Sequence, residues 1–263
     1  MKRRIWLHYA KNGNMGDMLN IHICEKLFNM KVRDSSTNLC ECVFIGSIMD
    51  DFLGKKNSFL KYVYPVKIWG TGFIREAEND LFFRRMEIFA VRGRKTLERL
   101  KESNKVIIHS DVLGDPGLLS SELISSTQKK YDLGIVPHYI DKDNLPDINL
   151  KEMSYKIIDV NSDPLECIQN ISQCRTILSS SLHGLIIADS FNIPNKRLII
   201  SQRLGDYKYE DYYSAYDIEK YNPISNLRII DKNVIDLIKE EYVIKEKKVD
   251  EIKQKLLLSF PFM

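Results

Sequence analysis

The chain has 263 residues, 44% of them hydrophobic and 29% charged, with a net charge of +3. That length builds a large core in one domain or two smaller ones, and the small basic excess, scattered rather than striped, argues against nucleic acid as a partner. No apolar run reaches the length of a membrane span, and the N-terminal MKRRIWLHYAKNGN lacks the apolar region of a signal peptide.

The run RIWLHY predicts a strand over residues 4–9, followed by the loop KNGNMGD and an amphipathic helix over 18–28. Strand, glycine loop and helix form the opening unit of a doubly wound fold. The loop is neither G-x-G-x-x-G nor a P-loop, so it supports no dinucleotide or ATP site. Asp17 reads either as a favourable first-turn acid or as a site carboxylate. Short apolar strands are expected over 42–45, 66–69, 88–91 and 106–109, while 50–61 reads as loop. Two strand ends carry glycine, in FIGS and IWGTGF, where a ligand or another backbone can come close. Arg92 ends the FAV strand ahead of a helix over 95–102. It is a surface arginine or an anion clamp. The turn Gly114-Asp115-Pro116-Gly117 closes this half, with Asp115 as its turn-former, and the serine-rich 120–132 is the expected interdomain link.

The alternation then restarts. Strands are expected over 133–137 and 157–160, and Asp163 caps a helix over 164–173 with proline at its first position. RTILSSSLHGLIIADSFNIPN, residues 175–195, reads as a buried strand, a serine turn and a helix stopped by Asn192 and Pro194. His183 thereby sits at a helix N-terminus beyond the carboxyl end of a strand, the edge where open α/β sheets bind ligands. The residues alone fit a capped-turn histidine equally well. A strand over 197–200 leads to SQRLGDYKYEDYYSAY, a lid, sugar platform or interface helix, whose Arg203 and Lys208 are solvated by default. A charged, amphipathic tail, most clearly helical over 232–258, is expected to pack back across the body. The predicted fold is therefore α/β with two Rossmann-like lobes: an N-terminal lobe over 1–125, a C-terminal lobe over 126–222, and a helical tail over 223–263.

Cys24, Cys40, Cys42, Cys167 and Cys174 have no metal-site spacing and read as buried thiols in a reducing compartment, with no metal implied.

Taken in order, several pieces resemble the polysaccharide pyruvyltransferases. These are N-G-x-M-G-D at 12–17, G-T-G after IW, V-R-G-R at Val91, G-D-P at Gly114, S-S-L-H-G-L-I-I-A-D-S-F-N-I-P and K-Y-x-D-Y-Y at Lys208. The resemblance implies a GT-B-like pair of lobes, acceptor side first and donor side second. It implies transfer of pyruvyl from phosphoenolpyruvate to two sugar hydroxyls of a surface polysaccharide precursor, such as an exopolysaccharide or capsule unit, as a cyclic ketal with release of phosphate. Phosphoenolpyruvate is then a donor substrate, and no cofactor is implied. The acceptor is a lipid-linked oligosaccharide, which places the protein in the cytoplasm with peripheral contact to the inner membrane face. His183 matches the family's catalytic histidine, and Arg92 a donor-binding arginine. Ser180, Ser181, Gly184, Arg203 and Lys208 complete the expected donor site. Asp17 and Asp115 are candidate bases, and Asn14, Gly16, Gly72, Asp115 and Tyr209 are placed on the acceptor side. Many relatives carry arginine where this chain has Ser181, so Arg203 or Lys208 is expected to supply that charge. The alternatives are a GT-B glycosyltransferase holding a nucleotide sugar through Glu210 or Asp211, and a non-catalytic saccharide-binding relative.

Overall fold

The structure is a computed structural model that describes residues 2–11, 13–54, 64–77, 81–125 and 127–262. Asn12, residues 55–61 of the expected loop and Ser126 of the expected link lie outside them.

The first half forms β1 (Arg4–Leu7), α1 (Met15–Leu27), β2 (Lys31–Asp34), β3 (Cys42–Val43), β4 (Val66–Trp69), β5 (Met86–Ala90), α2 (Arg94–Lys101) and β6 (Val106–Ile108). Its six strands are all parallel, in the order β2-β1-β3-β4-β5-β6. β1 alternates as its sequence demands, with Ile5 and Leu7 inward and Arg4 and Trp6 outward. A 3-10 helix, Pro116–Leu123, leads out of this half.

The second half contributes β7 (Leu133–Val136), β8 (Asp147–Ile148), β9 (Tyr155–Ile157), α3 (Pro164–Ser172), β10 (Ile177–Ser179), α4 (Leu182–Ser190), β11 (Asn195–Ile199), α5 (Tyr207–Ser214), β12 (Ile224–Ser225), β13 (Ile229–Ile230), α6 (Lys232–Glu241) and α7 (Glu246–Leu258). Five of its strands form a second parallel sheet, β12-β11-β10-β7-β9, and β8 pairs with β13 beside it. All four residues of β7 are buried, the signature of a central parallel strand covered on both faces.

The two sheets share one topology. In each, the sheet's first strand in chain order lies between the next two strands of that sheet, so the order reverses between β1 and β3 in one sheet and between β7 and β10 in the other. In doubly wound sheets such reversal points open a crevice at the carboxyl ends of the strands. Here one chain holds two such reversal points.

Several elements differ from expectation for identifiable reasons. β2 is an edge strand of KVRD with no buried residue and hence no apolar signal. α1 begins three residues early because the Asn14 side chain caps it, accepting from the Asp17 amide at 3.1 Å. β9 ends at Ile157, the first residue of the apolar run IIDV: Ile158 and Val160 are buried in the following loop, and the Val160 carbonyl accepts from the Met15 amide. Part of the serine-rich stretch expected as a link belongs to the buried 3-10 helix, which packs against α1 and α4. The tyrosine-rich segment is neither lid nor platform. α5 buries Tyr207, Tyr209, Tyr212 and Tyr213 and packs against α2 of the first half. The tail is two helices separated at Tyr242, whose hydroxyl donates to Asp189. α7 crosses to the first half, where the Leu256 carbonyl accepts from the Trp69 indole at 3.1 Å.

One hydrophobic cluster runs through both halves, from Leu7, Phe44 and Trp69 to Val136, Leu185 and Tyr212, with Ile252 and Leu256 of α7 closing it. Smaller clusters fill the far face of the first sheet and the space between the second sheet and α6.

Candidate functional site

The carboxyl edges of both sheets open onto a single cleft of about 460 Å³. From the first sheet come Ala10 and Asn14 after β1, Asp17 of α1, and Gly46 and Ser47 after β3. From the second come His138 and Tyr139 after β7, and Ser181, Leu182 and His183 after β10. Arg75, Arg203 and Lys208 lie along the wall, so three cations face one carboxylate, Asp17. The N-termini of α1, α4 and α5 all meet the cleft, adding backbone amides and positive helix ends.

His183 occupies the first turn of α4, with its side chain 13% exposed. Gly16 is what allows it there: a Cβ on that residue would fall 2.0 Å from the imidazole Nδ1. Burial, aided by Lys208, Arg92 and His138, lowers the His183 pKa to about 3, so the ring is neutral. His138 is likewise lowered, to about 4, by burial and then by Lys208. Its Nδ1 accepts from the Ile140 amide at 3.4 Å. That bond puts the proton of the neutral ring on Nε2.

Asp17 is buried and accepts from Asn14 Nδ2 at 2.6 Å. Burial outweighs that bond and the nearby Lys208 charge, and raises the Asp17 pKa to about 6. Lys208 is 8% exposed and its Nζ lies 5.2 Å from the centre of the Tyr209 ring. Burial and the neighbouring Arg92 and Arg197 lower its pKa to about 8. A buried ammonium set against an aromatic face, at the wall of a cleft, is poised for an anionic ligand. Arg203 is exposed and reaches the same cleft.

Asn14, Asp17, Ser181, His183, Arg203 and Lys208 are thus brought together on the cleft wall. Other candidates stand behind it. Arg92 is fully buried, donating from Nε to Asp211 at 2.9 Å, from Nη1 to Ser47 Oγ and from Nη2 to the Phe73 carbonyl, both at 2.5 Å. Its guanidinium binds the loops after β3 and β4 to α5, with Gly72 packed against it. Asp211 completes the knot by accepting from the Thr96 amide and hydroxyl. The Ser180 hydroxyl accepts from the His138 amide, and the Ser180 carbonyl accepts from the buried Tyr209 hydroxyl. Gly184 packs on the Ser179 hydroxyl and Val136, where a Cβ would come within 2.4 Å of Ser179 Oγ. Asp115 is buried at the cap of the 3-10 helix, its Oδ1 accepting from the Gly117 amide at 2.8 Å.

Two residues of the wall escaped the sequence reading. His138 follows β7 as His183 follows β10, so the strand end LGIVPHY carried a signal. Arg75 lies in a loop of charged residues and carried none. Among the described residues no group of three or more His, Cys, Asp or Glu is placed to hold a metal ion, and the five cysteines are buried and unpaired.

Fold and site define an α/β protein whose two parallel sheets turn their carboxyl edges onto one cationic, histidine-bearing cleft. The profile of the family described as polysaccharide pyruvyl transferase matches residues 14–195, from the cap of α1 to the start of β11, and the chain belongs to that family. It is 32% identical over 236 residues to an uncharacterised protein of Acanthamoeba polyphaga mimivirus, covering 83% of this chain and 77% of that one. It is 24% identical over 228 residues to the succinoglycan biosynthesis protein ExoV of Rhizobium meliloti (strain 1021), covering 85% and 67%. A functionally uncharacterised protein from Klebsiella pneumoniae subsp. pneumoniae superposes with a TM-score of 0.47 at 14% identity, over 85% of this chain and 92% of that one.

Proposed function

We propose that this protein transfers pyruvyl from phosphoenolpyruvate onto two hydroxyls of a sugar in a polysaccharide precursor, forming a cyclic ketal and releasing phosphate. Family membership supports the reaction class, and one observation carries the assignment of the donor site. Lys208, a buried cation turned toward the cleft, stands in one wall with His183 and the N-terminus of α4. Phosphoenolpyruvate has a carboxylate and a phosphate, and Lys208, Arg203 and the α4 amides suit such a ligand. Arg203 and Lys208 supply the charge that relatives place at the position of Ser181.

In this reading His183 protonates the methylene carbon, making C2 electrophilic toward the sugar hydroxyl. Bound phosphate and carboxylate raise the histidine's proton affinity from its low value in the empty cleft. Asp17, near neutrality in its pKa, takes a hydroxyl proton. Arg92 acts through the loops it ties together, holding Ser47 at the cleft edge. The two lobes work in GT-B-like fashion, the acceptor held by the Asn14–Asp17 side and the donor by the Ser181–Lys208 side. The acceptor is a saccharide, presented on a lipid carrier at the cytoplasmic membrane face. No helix among the described residues is long and apolar enough to cross a membrane.

The test is ligand-dependent melting. Phosphoenolpyruvate at about 100 times its Kd adds about 2.7 kcal/mol to stability, so it should raise Tm by several degrees while UDP and CDP leave it unchanged. Stabilisation by a nucleotide and not by phosphoenolpyruvate would assign the cleft to a nucleotide-sugar glycosyltransferase instead.

A further inference from the structure

Behind the cleft wall two buried polar atoms face each other with nothing else to bond. His183 Nε2 and Asp115 Oδ2 lie 4.0 Å apart, and among the described residues neither has a hydrogen-bond partner. Native proteins rarely leave such atoms unpaired, since each carries a desolvation cost of about 1–3 kcal/mol. Asp115 is fixed by the Gly117 amide on its other oxygen. The imidazole is fixed as well, with Nδ1 and Cε1 against Gly16 and Cδ2 on the Gly117 side. The side chain is 13% exposed while Nε2 is fully buried, so its accessible surface lies elsewhere, and the Nδ1 edge turns to α1 beside the cleft residues Asn14 and Asp17.

We propose that Asp115 and His183 form a buried proton-sharing dyad: the protonated Asp115 carboxyl donates to Nε2, which leaves Nδ1–H directed to the cleft as the acid that serves the pyruvyl donor. The proposal rests on the donor reading above and gives Asp115 a positioning role in place of contact with the acceptor. Closing the 4.0 Å gap to hydrogen-bond length takes about 1 Å of movement. Burial is the main force that favours the neutral pair, at the imidazole and at the carboxyl alike. Lys208, Arg92 and His138 oppose a charged imidazole. Burial and Asp211 favour a protonated Asp115 against the Gly117 amide and Arg92, which places that carboxyl at about 7.

The proton balance closes. As the donor's C=C electron pair forms the new C–H bond, the Nδ1 proton moves to the methylene carbon and the Asp115 proton moves to Nε2. The dyad is left as carboxylate and neutral imidazole, and a sugar oxygen bonds to C2. When the C2–O bond to phosphate breaks, a second sugar oxygen takes its place. Of the two hydroxyl protons released, one leaves with the phosphate. The other reaches Nδ1, whether directly or through Asp17, and Nε2 returns its proton to Asp115.

The experiment is a ¹⁵N NMR titration of the histidines in the full chain without substrate, wild type beside Asp115→Asn, followed by steady-state kinetics on phosphoenolpyruvate. Asparagine keeps the Oδ1 acceptor for the Gly117 amide but has no acidic proton. Below pH 7 wild-type His183 is expected to be neutral with a bare Nε2 and a protonated Nδ1, its signals shifting with a midpoint near pH 7 that Asp115→Asn lacks. In turnover the variant should lose about 10–100-fold in kcat while KM for phosphoenolpyruvate stays within about twofold. A wild-type His183 protonated on Nε2 with Nδ1 bare at pH 5–6, below the Asp115 midpoint, overturns the dyad, and this measurement needs no variant to fold. A midpoint that survives Asp115→Asn overturns it too. The expected tautomer without turnover of phosphoenolpyruvate would remove the donor reading and keep the proton sharing, whereas turnover with the reverse tautomer would remove the dyad alone.

Discussion

In the proposed reaction, Lys208 is the residue on which donor binding turns. Burial and the repelling Arg92 and Arg197 outweigh the attraction of Asp141 and Asp17, and a pKa of about 8 makes its charge depend on pH in an accessible range. Affinity for phosphoenolpyruvate is therefore expected to be full below pH 8 and to fall as pH rises through it, because the ammonium loses its proton. Lys208→Met should remove that dependence and weaken binding by about 1.5–3 kcal/mol, the contribution of a hydrogen bond to a charged group. Calorimetric titration between pH 7 and 9 checks both. Gly16 is as exacting in its own way. Gly16→Ala improves helix propensity, yet its methyl would occupy the space of the His183 ring. The variant should lose at least about 100-fold in kcat, as misplacement by an ångström does, with Tm within a few degrees of wild type. A kinetic assay beside a melting curve separates the two effects.

Elements carry those residues to the cleft, and their packing explains how much was readable beforehand. β7, β10 and α4 were legible because burial on nearly all sides leaves uninterrupted apolar sequence between turn signals. The edge strand β2 was not, since half-exposed backbone pairing asks little of its side chains. The place of His183 at a helix N-terminus was also legible, because the serine turn and the stop at Pro194 bracket the helix. The setting of Arg92 was not. Its partner Asp211 lies 119 residues away, on a helix that reads as a polar tyrosine surface until α2 packs against it. That buried pair makes a prediction at the scale of the elements. Arg92→Ala is expected to strip about 3–5 kcal/mol from folding by leaving the buried Asp211 charge without its counter-ion. Arg92→Met paired with Asp211→Leu should recover much of that loss. Urea unfolding of the single and double variants measures the difference.

At the scale of the whole molecule, the buried titratable groups set the pH response of stability. Asp17 and Asp189, both about 6, and Asp115 at about 7 lie above the unfolded carboxylate value near 4. Each holds its proton more tightly when folded. Its contribution is complete below about pH 4 and is lost as pH rises to 6 or 7. His183 at about 3 and His138 at about 4 lie below the unfolded value near 6.5, so their contributions are present above pH 6.5 and lost as pH falls. The two sets oppose one another between about pH 4 and 6.5. Replacing His183 by Gln removes one acid-sensitive contribution, and the stability difference between pH 4.5 and 6.5 should then move in favour of the lower pH. Denaturant titrations at the two pH values test the sign.

The same architecture, two reversal points facing one cationic cleft and joined by a shared core, leads to the central claim of pyruvyl transfer to a sugar. Mass spectrometry of candidate saccharide acceptors incubated with phosphoenolpyruvate tests it most directly. The predicted result is an acceptor carrying one ketal-linked pyruvate, with one phosphate released per ketal, and no product from His183→Ala. An acceptor that remains unmodified with phosphoenolpyruvate but gains a sugar from a nucleotide donor would contradict it.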